Sequence, residues 1–230
     1  MERHFDTSLR ELKEQLVVMA SWVERAIEEA TQGLQLSSLE RLENVYELEK
    51  KINQSHMSVD SACLKLLALQ QPLATDLRLI FAIIKINTDL ERMGDQAVNI
   101  SRNAREYIQA PPMKPLIDLP IMFQEVRQMV GVALDSFVKS NENLARDVLQ
   151  RDDRVDALKN KIFKDTLEHL KTHADQIEQG LTLILIARNL ERIGDHSTNI
   201  AEDVIFALTG EDVRHASQAA TIKNVLKSSS

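Results

Sequence analysis

The chain has 230 residues, with six Gly, five Pro, one Cys, 4% aromatic and 43% apolar side chains, and a formal net charge of −7. So few turn residues exclude strand-rich folds and Gly-rich phosphate loops, and one Cys excludes a disulfide framework or a Cys-rich zinc site. The acidic balance argues against a nucleic-acid partner.

The apolar residues follow helical spacing from the start. Leu9, Leu12, Leu16, Met19, Val23, Ala26 and Ala30 step by three and four, which predicts a first helix with Thr7 or Ser8 as its cap and Gly33 near its end. A second helix is expected after Ser37 and Ser38. Its seam runs through Val45, Leu48, Ile52, Ser55, Val59, Ala62, Leu66 and Leu69, the rhythm of antiparallel packed helices. It ends at Gln70-Gln71-Pro72, and Pro72 suits the first turn of a third helix reaching Ile108. Pro111, Pro112, Pro115 and Pro120 then cluster within ten residues, where no helix is expected to cross, and mark a linker. The helical pattern resumes over about 120–140, 142–172 and 176–208. Asp175 with Glu178 resembles a capping box, and Gly210 a helix stop. The fold class is all-α with six long helices, organised as residues 1–110, residues 119–210 and a polar tail over 211–230. No run approaches the about 18 apolar residues of a membrane span. The segment MERHFDTSLRELKEQ has no apolar signal-peptide core, so the expected compartment is the cytoplasm.

The two halves are related by duplication. Residues 86–100 read INTDLERMGDQAVNI and residues 186–200 read IARNLERIGDHSTNI, identical at eight of fifteen positions. Glu91, Asp95 and Asn99 lie at i, i+4 and i+8, and Glu191, Asp195 and Asn199 repeat them. On a helix each trio shares one face. Two carboxylates at that spacing repel by a few tenths of a kcal/mol, a cost that a hard divalent or ferric cation would offset. Gly94 and Gly194 stand between the carboxylates, where a close helix or room for an ion would account for them. The preceding helix offers Asp152, Asp153 and Asp156 in the second half and Glu49 with Asn53 at the corresponding place in the first. The fully acidic second-half set is expected to bind the tighter. The alternative is a solvated acidic face balanced by Arg92 and Arg192.

Elsewhere the chemistry is sparse. Cys63 and Trp22 read as packing residues, His196 as a surface or packing residue, and Asp60, Lys65 and Lys85 suggest no role. No Glu-x-x-His, Walker loop, Gly-x-Ser-x-Gly or His-Glu-x-x-His occurs, which lowers the expectation of catalysis.

LERMGDQAVNI and LERIGDHSTNIAED resemble the paired signature of the PhoU family, bacterial phosphate-transport accessory and regulatory proteins. HFDTSLRELKEQLVVMA, LLALQQPLATDLRLIFAIIKI and VLQRDDRVDALKNKIF agree with it in order, so the resemblance covers about residues 3–208. It implies two tandem pseudo-symmetric three-helix bundles. It also implies metal ions, among Fe, Zn, Ni, Mg and Mn, with no organic cofactor. The matching residues are Glu91, Asp95, Asp152, Asp156, Glu191 and Asp195; Glu49 with Asn53 departs from the motif, and Asn99 and Asn199 would be supporting polar groups. The role implied is negative regulation of the phosphate-starvation response and of phosphate uptake, without enzymatic activity. The implied partners are the ATPase subunit of a phosphate ABC transporter, the PAS region of a sensor histidine kinase and a second copy of the chain, with the membrane reached only through partners. A metal-dependent enzyme or metal store using the same carboxylates is the competing expectation, and a purely structural scaffold is a third.

Overall fold

The structure is a computed structural model that describes residues 4–70, 72, 74–110, 113 and 118–214. Six long helices account for nearly all of the described residues: α1 (His4–Gln35), α2 (Leu39–Gln70), α3 (Ala74–Ile108), α4 (Asp118–Val138), α5 (Glu142–Leu170) and α6 (Ile177–Thr209). Pro111, Pro112 and Pro115 of the expected linker lie outside the described residues, as does the tail beyond Arg214.

Each helix buries the stripe its sequence spacing defines. Leu12, Leu16, Met19, Val23, Ala26 and Ala30 of α1 are all buried, and so are Val45, Leu48, Ile52, Val59 and Leu66 of α2. Leu69 is exposed at the end of that seam, and Cys63 is buried beside it. Four boundary features differ from the sequence expectation. Thr7 and Ser8 lie inside α1, because Phe5 extends the apolar stripe one turn earlier and is itself buried. Pro72 stands ahead of α3, not within its first turn. Pro120 falls inside the first turn of α4, where a helix has no intrahelical use for the missing N–H. Asp175 does not cap α6. It belongs to a 3₁₀ turn over Ala174–Gln176, and Gln176 at the cap makes no side-chain capping bond. The histidines organise this turn instead: His169 and His173 stack with centroids 4.1 Å apart, and His169 Nε2 lies 2.8 Å from Gln176 Oε1. Gly210 does end α6, at φ 80° with its N–H donating to Phe206 O at 2.9 Å.

The duplication is visible in the turns as well. Ser37 and Ser140 close the α1–α2 and α4–α5 connections, both with left-handed backbones, at φ 51° and 47°. In each the next residue donates back five residues, Ser38 N to Gly33 O and Asn141 N to Ser136 O, both at 2.9 Å. Asn141 then caps α5, accepting from the amides of Asn143 and Leu144.

α1, α2 and α3 pack mutually, as do α4, α5 and α6. The two bundles share one apolar core, because α3 also packs along α6 and α1 touches α4. Phe81 meets Phe206, Lys85 meets Asp203 and Asp89 meets His196. Positions thus rise along α3 as they fall along α6, so these helices are antiparallel. This register centres the seam near Met93 and Ile193, both fully buried. The two copies of the repeated motif therefore meet at the middle of the molecule.

Candidate functional site

Glu91 on α3, with Asp95 one turn along, stands within electrostatic reach of Glu49 and His56 on α2. Asp152 and Asp156 on α5 stand within reach of Glu191 and Asp195 on α6. Both pairings follow from the helix packing, since the motif helices turn their buried stripe, Leu90, Met93 and Ala97 or Leu190 and Ile193, toward the core. That leaves the carboxylates along the edge of the helix pair. Gly94 allows the first pairing to be tight: a Cβ there would meet Ile52 Cδ1 at 3.1 Å. Gly194 is less constrained, with Val155 Cγ1 at 3.5 Å.

The second-half carboxylates crowd one another. Asp152 is half-buried, and that burial, together with Asp195, Asp156, Asp153 and Glu191, pushes its carboxyl up to about 6. Burial also raises Asp195, helped by Glu191 and Asp156 and opposed by His196 and Lys159. In the first half, burial and then Asp95 raise Glu91, while His56 and Arg92 draw it back. Like charges in a half-buried site disfavour ionisation.

The expected cations balance these faces only in part. Arg92 and Arg192 are exposed, and Arg92 draws Glu91 back through space. In the second half that part falls to Lys159, whose Nζ lies 2.9 Å from both Asp156 Oδ1 and Glu191 Oε1. Those two bonds hold the ammonium more firmly charged than an ordinary lysine. In the first half, Asn53 Nδ2 donates to Glu49 Oε1 at 2.5 Å. His56 turns toward Asp60, with Nε2 3.5 Å from its Oδ2. Buried Asn87 ties the same turn down, donating to His56 O at 3.0 Å and to Asp60 Oδ1 at 2.9 Å. Among the described residues no three His, Cys, Asp or Glu side chains converge as a metal ligand set. As placed, then, the acidic faces do not form the coordination shell that the resemblance implies.

Asn99 is partly buried on α3. Asn199 donates to Asp89 Oδ1 at 3.1 Å across the seam. There Asp89 Oδ1 also lies 2.8 Å from Nδ1 of His196, which is buried, not on the surface. One turn along, Lys85 Nζ reaches Asp203 Oδ1 at 2.8 Å and sits 5.2 Å from the Phe81 ring centroid. Asp203 is only 4% exposed, and burial raises its carboxyl despite the lysine. Sequence spacing gives no sign of these polar links, whose partners lie between 107 and 118 residues apart. Residues 100 positions away break the pattern: Leu185 stands for Lys85 and Asn103 for Asp203.

The PhoU domain model matches the chain twice, over residues 16–104 and 119–204. The chain belongs to the PhoU family. It is 37% identical over 207 residues to the phosphate-specific transport system accessory protein PhoU homolog of Aquifex aeolicus, covering 90% of this chain and 94% of that protein. It is 34% identical to the protein of the same name from Pseudomonas putida over 216 residues, 94% of this chain and 84% of that one. The crystal structure of PhoU from Pseudomonas aeruginosa superposes with a TM-score of 0.88 at 32% identity, covering 90% of this chain and all of that one. The phosphate transport system regulatory protein PhoU from Streptococcus pneumoniae gives 0.83 at 28% identity, over 91% and 99% of the two chains. The two PhoU matches span the two bundles, and each contains one copy of the LER-[MI]-GD motif.

Proposed function

We propose that this PhoU protein regulates phosphate uptake and represses the phosphate-starvation response, as a non-catalytic adaptor between a phosphate ABC transporter and a sensor histidine kinase. The observation that carries the reading is the double PhoU match over a chain whose relatives are named accessory and regulatory proteins of phosphate transport. The architecture is suited to it. Two bundles fused through one core present long rigid helix faces, and rigid faces bind partners at low ordering cost. No helix among the described residues is long and apolar enough to cross a membrane. On this reading the adaptor works from the cytoplasm and reaches the inner membrane through the transporter ATPase subunit and the PAS region of the kinase, as a homodimer. Phosphate sufficiency holds the complex together and keeps the kinase acting as a phosphatase.

Co-purification tests the reading. Tagged chain recovered from cells grown at high and low phosphate is expected to carry the ATPase subunit and the kinase, more of both at high phosphate. Recovery of neither at either concentration would refute it.

A further inference from the structure

Two acidic faces derived by duplication should behave alike, and their cations do not. At the position of Lys159, 103 residues earlier, the first half holds His56, which is no permanent cation. Lys159 is tethered on α5 one turn from Asp156 and bridges to Glu191 on α6, 2.9 Å from each. It thereby stands between the helix pair whose facing carboxylates would have to supply a metal's ligands. Access is not what limits this site. An open groove of about 440 Å³ runs past it, lined by Lys159, Asn160, Phe163, Ile184, Arg188 and Glu191. That groove presents two cationic side chains to an approaching metal ion, and like charges repel at such separations.

We propose that the second half carries its own counter-cation: Lys159 occupies the place an external metal ion would take between α5 and α6, and this half binds none. The inference rests on the acidic face being a cation site and is independent of the regulatory reading. It reverses the order expected from carboxylate count alone, under which the second half would bind the tighter. Asp152 and Asp195 remain crowded because one ammonium engages only Asp156 and Glu191.

Removing the tethered charge should open the site. The full-length protein is incubated with Mn²⁺ and dialysed; its metal is counted by mass spectrometry, its melting temperature measured with and without Mn²⁺, and its helicity checked by circular dichroism. Wild type and the Asp152→Asn/Asp195→Asn variant are expected to hold equal Mn²⁺. Lys159→Met, with Lys159→Gln as a second form, is expected to gain about one equivalent and a Mn²⁺-dependent rise in melting temperature. Adding Asp195→Asn abolishes that gain, and Lys159→Arg behaves as wild type. Loss of Mn²⁺ from the protein on Asp152→Asn/Asp195→Asn alone overturns the proposal. So does a helical Lys159→Gln or Lys159→Met protein that gains none.

Discussion

Asp152 shows what the acidic faces do to stability. Its carboxyl ordinarily titrates near 3.8 and is pushed up to about 6 in the fold. The folded state therefore holds that proton more tightly than the unfolded chain. Its stabilising contribution is complete below about 4 and is lost as pH climbs toward 6. Asp152→Asn keeps the shape and removes the titration. The variant should melt higher than wild type at pH 7.5, with the gap closing below pH 4, in thermal melts followed by circular dichroism. A gap that stays constant across that range would show that Asp152 is not the source. Lys85 and Asp203 pair across the α3–α6 seam, and the ammonium offsets part of the burial that raises the Asp203 carboxyl. Lys85→Met leaves the Asp203 carboxylate buried without its cation and is expected to cost about 2 kcal/mol in urea unfolding at neutral pH. Asp203→Asn in the same chain should recover part of that, and full additivity would argue against coupling. Neither this pair nor Asp89 with His196 was legible in the sequence. The partners lie 118 and 107 residues apart, and only the antiparallel register of α3 and α6 brings them together. Lys159 did carry a signal: the offset that aligns Glu49 with Asp152 also aligns His56 with Lys159, a change from a titratable to a fixed cation.

At the scale of elements, periodicity located the helices because one unbroken stripe per helix faces the core. Ends were less legible where side chains outside the pattern decide them. Phe5 draws α1 past Thr7, and the stacked His169 and His173 shape the turn that displaces Asp175 from the cap. The glycines in the repeated motif separate in the structure although they are identical in the sequence. A Cβ at Gly94 presses on fully buried, β-branched Ile52 at 3.1 Å, whereas one at Gly194 makes ordinary contact with Val155 at 3.5 Å. Alanine gains about 1 kcal/mol of helix propensity over glycine. Gly194→Ala should therefore stabilise by up to about that amount, and Gly94→Ala should stabilise less or destabilise. Equal effects in chemical denaturation would contradict the asymmetry. Ser37 and Ser140 offer a second comparison. Both sit in the left-handed region, which is strained for a residue with a Cβ. Glycine at either turn should stabilise the protein by about 0.5 kcal/mol or more after its larger unfolded-state entropy is counted. A loss of stability in either variant would show that the serine side chain earns its place by bonding.

For the whole molecule, the duplicated sequence becomes two bundles joined back to back through the motif helices, so that one core serves both. The duplication carried the shape faithfully, but the charges have diverged. The seam is bonded by Lys85, Asp89, His196, Asn199 and Asp203 on one side of its centre. At the pseudo-equivalent positions, 100 residues away, the chain has Leu185, Asn189, Gln96, Asn99 and Asn103. The pseudo-symmetry of the backbone is thus broken in the chemistry of its seam, where Asp203 and His196 are buried and their counterparts Asn103 and Gln96 carry no charge. Repression of the phosphate-starvation response is the activity proposed for this chain. The most direct measurement is a phosphate-starvation promoter reporter, read at high phosphate in a strain lacking the gene and in the same strain re-expressing the chain. High reporter output is expected without the chain, and repression when it is restored. Repression that is equally complete in its absence would contradict it.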